Sequence, residues 1–221
     1  MTLAPAQLTK VLPHGCAYLF FALLLLLVTL PLLLGSNTGR IVANLINLGI
    51  LLAAVVAVGR TMRLYVIAML LGLPVAGFQV AGLMWAEPFY LVLSWLFGAC
   101  FYFWTLALLL RYVLLPEVMN ANKLYGAGAI YLMLGVTWSY FYGIIQYFYP
   151  GSFAPAGAPL NQFDFLYFSF AVLTTAGFGD IVPVHPVARG LTMLEQIIGV
   201  LYVAILIARL SGMYSEAESP K

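Results

Sequence analysis

Long apolar runs separated by short polar turns dominate the chain. The runs Ala17–Leu34, Ile41–Val58, Leu64–Met84, Phe89–Val113, Leu124–Phe148 and Val187–Ser211 each extend for about 18 to 25 residues. At about 1.5 Å per residue, that length crosses a hydrocarbon core of about 30 Å. The turns "GSNTGR", "GRTMR" and "WAEP" separate the first four runs, and such short connections predict antiparallel neighbours. The first run has the character of a secretion-signal core, but its length and the lack of a small-x-small cleavage site favour a retained helix. The pattern predicts an all-α membrane protein with six transmembrane helices.

Between the fifth and sixth runs the pattern breaks. "YPGSFAPAGAPLN" is a Pro/Gly-rich loop. After it comes "QFDFLYFSFAVLTT", apolar but too short to cross. As a helix over 162–174 it reaches about 20 Å, roughly halfway into the membrane. Asp164 lies near its start, where a carboxylate suits the positive end of the helix dipole. The following "AGFGD" must then return to the surface it came from. Non-helical backbone survives at membrane depth only when it is buried in protein or lines water, so this re-entrant loop is expected to line an aqueous path.

Composition sharpens the picture. Apolar residues make up 64% of the 221 and charged residues 7%, which excludes an ordinary soluble domain. The net charge of +2 and the scattered basic residues argue against nucleic-acid binding. Cys16 and Cys100 both fall in apolar runs; no disulfide and no metal site is expected from them. With the N-terminus inside, Lys10, Arg60, Arg63, Arg111, Lys123, Arg209 and Lys221 lie at cytoplasmic ends, and Arg40 and Arg189 lie outside. That bias orients the set with both termini cytoplasmic.

The loop "LTTAGFGDIVP", Leu173 to Pro183, carries the candidate chemistry. Gly177 and Gly179 allow backbone conformations barred to other residues, so successive carbonyls can face one side. Four copies around an axis would stack rings of carbonyl oxygens from Thr175, Ala176, Gly177 and Phe178, with the Thr175 hydroxyl adding a lower ring. Such oxygen cages replace the hydration shell of a monovalent cation. One chain holds one such loop, so the ring requires a homotetramer. The helix before it would aim its negative end at the cavity below.

"YFSFAVLTTAGFGDIVPVHPVARGLTMLEQIIGV" resembles the pore region of the potassium channel family, over roughly the last 60 residues. The resemblance implies a pore helix, a selectivity filter at Thr175, Ala176, Gly177, Phe178 and Gly179, and Asp180 as the filter's outer anchor. K⁺ would be held by the backbone carbonyls of Thr175, Ala176, Gly177 and Phe178. It implies a gating hinge at Gly199 on the inner helix, a passive channel rather than an enzyme, and a multi-pass protein of a bacterial inner membrane. Two positions depart from the family pattern. Ala176 replaces a larger aliphatic residue and Phe178 replaces tyrosine, so the filter is expected to be held less tightly. Ala171 stands where some members carry a glutamate that pairs with the aspartate.

The expected organisation is a cytoplasmic N-terminus (1–16), a sensor-like peripheral four-helix bundle (17–113), a linker (114–123), a pore domain (124–212) and a cytoplasmic tail (213–221). In the pore domain the filter is 175–180 and the inner helix 187–211. The fourth run lacks repeated arginines, with Arg111 alone at its cytoplasmic end. Voltage sensing through it is therefore not expected, since steep gating needs several charges per subunit. Val200, Val203 and Ile207 recur on one helical face and are the expected cavity lining. Glu195 is an intramembrane acid, either pH-sensitive or structural, with Ser169 or a tyrosine as its expected partner. His185 is read as a helix-start residue. Trp85, Trp138, Tyr147 and Tyr149 are read as interfacial aromatics, and Asn44 and Asn47 as interhelical hydrogen-bonding groups.

The short tail is expected to leave no cytosolic ligand-binding domain. Gating is then expected from the pore, membrane lipid or a separate regulatory subunit. No cofactor is expected, with K⁺ as the permeant ion. The alternatives are a weakly selective Na⁺/K⁺ channel, a cation transporter or a non-conducting scaffold.

Overall fold

The computed structural model describes residues 15–33, 62–85, 87–114, 120–154 and 160–217, with further positions between 42 and 54. In chain order the elements are α1 (Gly15–Leu33), α2 (Met62–Trp85), α3 (Pro88–Leu114), α4 (Ala121–Phe148), β1 (Phe153–Ala154), α5 (Gln162–Leu173), β2 (Val182–Pro183) and α6 (Pro186–Ala217). Among the described residues, α1, α3, α4 and the 186–209 part of α6 are long and apolar enough to cross a membrane. In α2 the apolar stretch is the shorter Val66–Gly82. Half of the expected span 41–58 lies outside the described residues; those described in it, Leu45, Asn47 and Ile50 among them, are helical. Asn44 lies outside them too.

Helix starts follow local chemistry. α3 begins on Pro88, whose missing N–H costs nothing at the first helical position. α4 begins after Asn120, whose side chain accepts from Lys123 N at 2.9 Å. That bond satisfies one of the unpaired amides of the first turn.

α4 is the centre of the molecule. It contacts α1, α3, α5 and α6, while α2 lies against α3. In its most apolar window 67% of residues are buried, against 17% in α6, so α6 leaves most of its apolar surface uncovered by its own chain. The contact of α4 with α5 is close because Gly135 faces Phe170. A Cβ at Gly135 would come within 2.6 Å of the Phe170 ring. In the bundle Tyr102 Oη donates to Asn47 Oδ1 at 3.1 Å, the interhelical role expected of Asn47. Lys123, buried at the start of α4, places Nζ over the Tyr112 ring at 5.8 Å.

Trp138 differs from expectation. It is 9% exposed and lies against Phe141 and Tyr142. The reason is that Trp138 sits on the well-covered middle of α4, where it meets protein, whereas Tyr147 at the helix end is exposed. Trp85, Tyr147 and Tyr149 are exposed, as interfacial aromatics should be. Cys16 is buried and Cys100 exposed.

The α4–α5 contact yields a prediction. Gly135→Ala should destabilise the fold by about 1–3 kcal/mol through overpacking. Adding Phe170→Leu should recover part of the loss, measured as thermal unfolding in detergent; equal unfolding temperatures for all three proteins would contradict the close contact.

Candidate functional site

The segment from Phe153 to Pro183 leaves and returns at one place. β1 and β2 pair antiparallel, with Phe153 opposite Pro183 and Ala154 opposite Val182. Next to them Ser152 O accepts from Val184 N at 2.9 Å and from His185 N at 3.3 Å. Arg189 Nε donates to Pro183 O at 3.1 Å. Phe153 is buried against the rings of Tyr142, Phe165 and Phe168, edge-to-face pairs worth about 0.5–1.5 kcal/mol each beyond burial. This clamp ties the chain before α5 to the chain after the loop 174–180. The two ends of the loop therefore lie side by side, the geometry of a re-entrant segment.

Inside the clamp, α5 starts with a full capping box. Asn161 Oδ1 accepts from Phe163 N at 2.8 Å and Asp164 N at 3.3 Å, and Asp164 Oδ2 accepts from Asn161 N at 2.7 Å. The carboxylate expected to favour the helix dipole thus also closes the cap. α5 ends at Leu173, and the chain turns at once into the loop. Thr175 N donates to Val172 O at 3.0 Å and Gly177 N to Ala171 O at 3.2 Å.

Thr175, Gly177 and Gly179 have φ of 58°, 55° and 81°, while Ala176 and Phe178 do not enter that region. The sign of φ therefore alternates along the loop. Such alternation brings successive carbonyls toward one side, as the glycine spacing predicts. For Thr175, a β-branched residue, the conformation costs of the order of 1–3 kcal/mol. It persists because its amide is tied to the end of α5.

The outer end of the loop is held by side chains. Asp180 Oδ1 accepts from Ile181 N at 3.1 Å. The Tyr167 phenol lies beside the Asp180 carboxylate. The ring of Tyr167 stacks on Phe178 at 6.0 Å with 9° between planes. Asp180 thus has a neighbour on α5 that no sequence motif marked. His185 begins α6: its Nδ1 accepts from Val187 N at 3.3 Å, and its ring stacks on Tyr149 at 4.5 Å.

α6 presents one buried stripe. Ala188, Thr192, Glu195 and Gly199 are buried on it, at helical spacing. Gly199 lies against the end of α5. A Cβ there would meet Leu173 O at 2.7 Å and Leu173 Cδ1 at 2.9 Å. Through Gly199 α6 is continuous helix, so in this structure the position serves close approach. Leu173 O also accepts from Tyr131 Oη at 3.1 Å, and Tyr131 stacks on Tyr202, whose Oη donates to Ala127 O at 2.6 Å. Glu195 meets both kinds of partner expected for it, Ser169 on α5 and a tyrosine, Tyr142 on α4. Val200, Val203 and Ile207 are exposed, together with Ile197, Leu201 and Ile205 on neighbouring faces of α6. Sequence position alone did not single out Tyr131, Tyr142, Tyr167 or Tyr202.

Residues 128–216, from α4 to the end of α6, match the family model described as ion channel. Among curated proteins, two pore potassium channel c of Oryza sativa subsp. japonica is 40% identical over 86 residues. That stretch covers 38% of this chain and 17% of the rice protein's length. No solved structure gives a significant match. The ion-channel match spans the clamped loop and both helices that flank it.

The Gly199 contact predicts a larger effect than the one at Gly135, because backbone stands in the way instead of a movable ring. Gly199→Ala should lower the unfolding temperature in detergent more than Gly135→Ala; the reverse order would show that the end of α5 yields easily.

Proposed function

We propose that the chain is a passive potassium-selective channel, formed by four copies around the loop 175–180. The single observation that carries this reading is the clamped re-entrant loop with alternating φ at Thr175, Gly177 and Gly179. In this arrangement the backbone carbonyls of Thr175, Ala176, Gly177 and Phe178 act as ligands for K⁺, Gly179 completes the filter and Asp180 anchors its outer end. One chain has one loop, so a closed ring takes a homotetramer. The uncovered apolar surface of α6 (17% buried in its apolar window) supports contact with further copies and lipid. Val200, Val203 and Ile207 line the inner cavity, and Gly199, packed on Leu173, is the point about which α6 bends on opening. The permeant ion is the ligand, and no cofactor enters the scheme.

The peripheral helices complete a six-span subunit with both termini cytoplasmic in the plasma membrane. α3 carries Arg111 alone, in its last turn. A charge crossing the whole field contributes about 2.3 kcal/mol per 100 mV, and a residue at the helix end crosses little of it. The bundle is thus not a voltage sensor, and gating falls to the pore, the lipid or a regulatory subunit. A second reading, a weakly selective Na⁺/K⁺ channel, draws on the small side chain of Ala176. The stacking of Phe178 on Tyr167, whose phenol lies beside Asp180, favours the selective reading, because it braces the filter's outer half.

The purified protein in liposomes should pass K⁺ down a gradient. Gly177→Ala, placed at φ 55°, should reduce that flux at least about tenfold, since a side chain there is strained. Flux equal to that of the unmodified protein would contradict a conducting role for the loop.

A further inference from the structure

Glu195 is buried where three helices meet, with no exposed surface. From α4, Tyr142 Oη donates to its Oε2. From α5, Ser169 Oγ lies 2.5 Å from its Oε1 and 2.9 Å from Gly135 O of α4. On α6 itself, Thr192 lies beside the Tyr142 phenol, and its hydroxyl donates to Ala188 O at 2.8 Å. Tyr131 of α4 is the second titratable group that feels the carboxyl.

Counting protons decides what this cluster can do. The Ser169 hydroxyl has one proton, and Gly135 O can only accept. If the carboxyl is ionised, Ser169 serves either Glu195 or Gly135, and one contact lacks a hydrogen. If the carboxyl carries a proton, Glu195 donates to Ser169, Ser169 donates to Gly135 O, and Tyr142 donates to the second carboxyl oxygen. All three contacts are then hydrogen bonds at once, and no charge is buried.

The cluster grips α5 close to the filter. Ser169 precedes by two and three residues Ala171 and Val172, the carbonyls to which Gly177 N and Thr175 N are tied. A shift of α5 at Ser169 is passed to the filter through those bonds.

We propose that Glu195 is a positioning residue for selectivity, a protonated latch that fixes α5 between α4 and α6 and thereby holds the filter in its K⁺-selective shape. Loss of its proton releases the Ser169–Gly135 bond and loosens the filter. This rests on the channel reading above.

The test is the bi-ionic K⁺/Na⁺ reversal potential of the reconstituted channel, from mildly acidic to strongly alkaline pH. In the unmodified channel the K⁺/Na⁺ permeability ratio should fall at least about tenfold at the alkaline end. Glu195→Gln keeps a donor and an acceptor but cannot ionise, so its ratio should stay near the acidic value throughout. Asp180, Tyr167 and His185 are further ionisable side chains around the loop, present alike in both proteins, and the comparison with Glu195→Gln separates their contribution. Glu195→Ala and Ser169→Ala should each lower the ratio at acidic pH, and the double variant should lower it no further, the mark of one shared interaction. A pH profile of Glu195→Gln identical to that of the unmodified channel, or an unchanged ratio in assembled Ser169→Ala channels, would overturn the latch alone. No current from the unmodified protein at any pH would overturn the channel reading and the latch with it.

Discussion

A peptide group without a hydrogen-bond partner cannot rest in hydrocarbon, and this constraint shapes the last third of the chain. Helices α4 and α6 satisfy it within themselves. The loop from Thr174 to Asp180 cannot, because its backbone follows neither helix nor sheet. The amides of Thr174, Thr175 and Gly177 are taken up where α5 ends, by Phe170 O, Val172 O and Ala171 O. Its ends are joined by the β1–β2 clamp. The carbonyl oxygens along the loop are what an ion can use.

The surrounding structure follows from holding that loop still. α5 is fixed at its start by the Asn161–Asp164 capping box, in its middle by Ser169 and Glu195, and at its end by Tyr131 and the close approach of Gly199. Each support comes from a different part of the chain. Together they surround α5 with α4 on one side and α6 on another. The two loop residues that depart from the potassium-channel pattern, Ala176 and Phe178, lie within this frame. Phe178 has lost a hydroxyl, but it stacks on Tyr167, which itself reaches Asp180.

Much of this was legible in the sequence, for physical reasons that differ by element. α1, α3, α4 and α6 show as apolar runs because a helix in lipid must be apolar all round over a fixed length. α5 shows because it is apolar but too short, and Asp164 marks its start. The Glu195–Ser169 pairing was accessible because an acid in an apolar helix demands a partner. The β1–β2 clamp was not legible: two residues pair with two others across the whole loop, and periodicity carries no such long-range information. Trp138 was misplaced because nearness to a helix end does not tell whether protein or interface lies beside it. The roles of Tyr131 and Tyr202 were hidden since tyrosines are plentiful here, 14 in the chain, and spacing does not distinguish those that meet.

The central claim is that the backbone of residues 175–178 is the ligand for a monovalent cation on an axis shared by four copies. Anomalous scattering from crystals of the full chain grown with rubidium, a heavy stand-in for potassium, tests it most directly. The account predicts a column of rubidium peaks on a fourfold axis, each ringed by carbonyl oxygens from Thr175, Ala176, Gly177 and Phe178 of four chains. A fourfold assembly with no ion beside these residues, or an assembly in which the four loops do not meet, would contradict it.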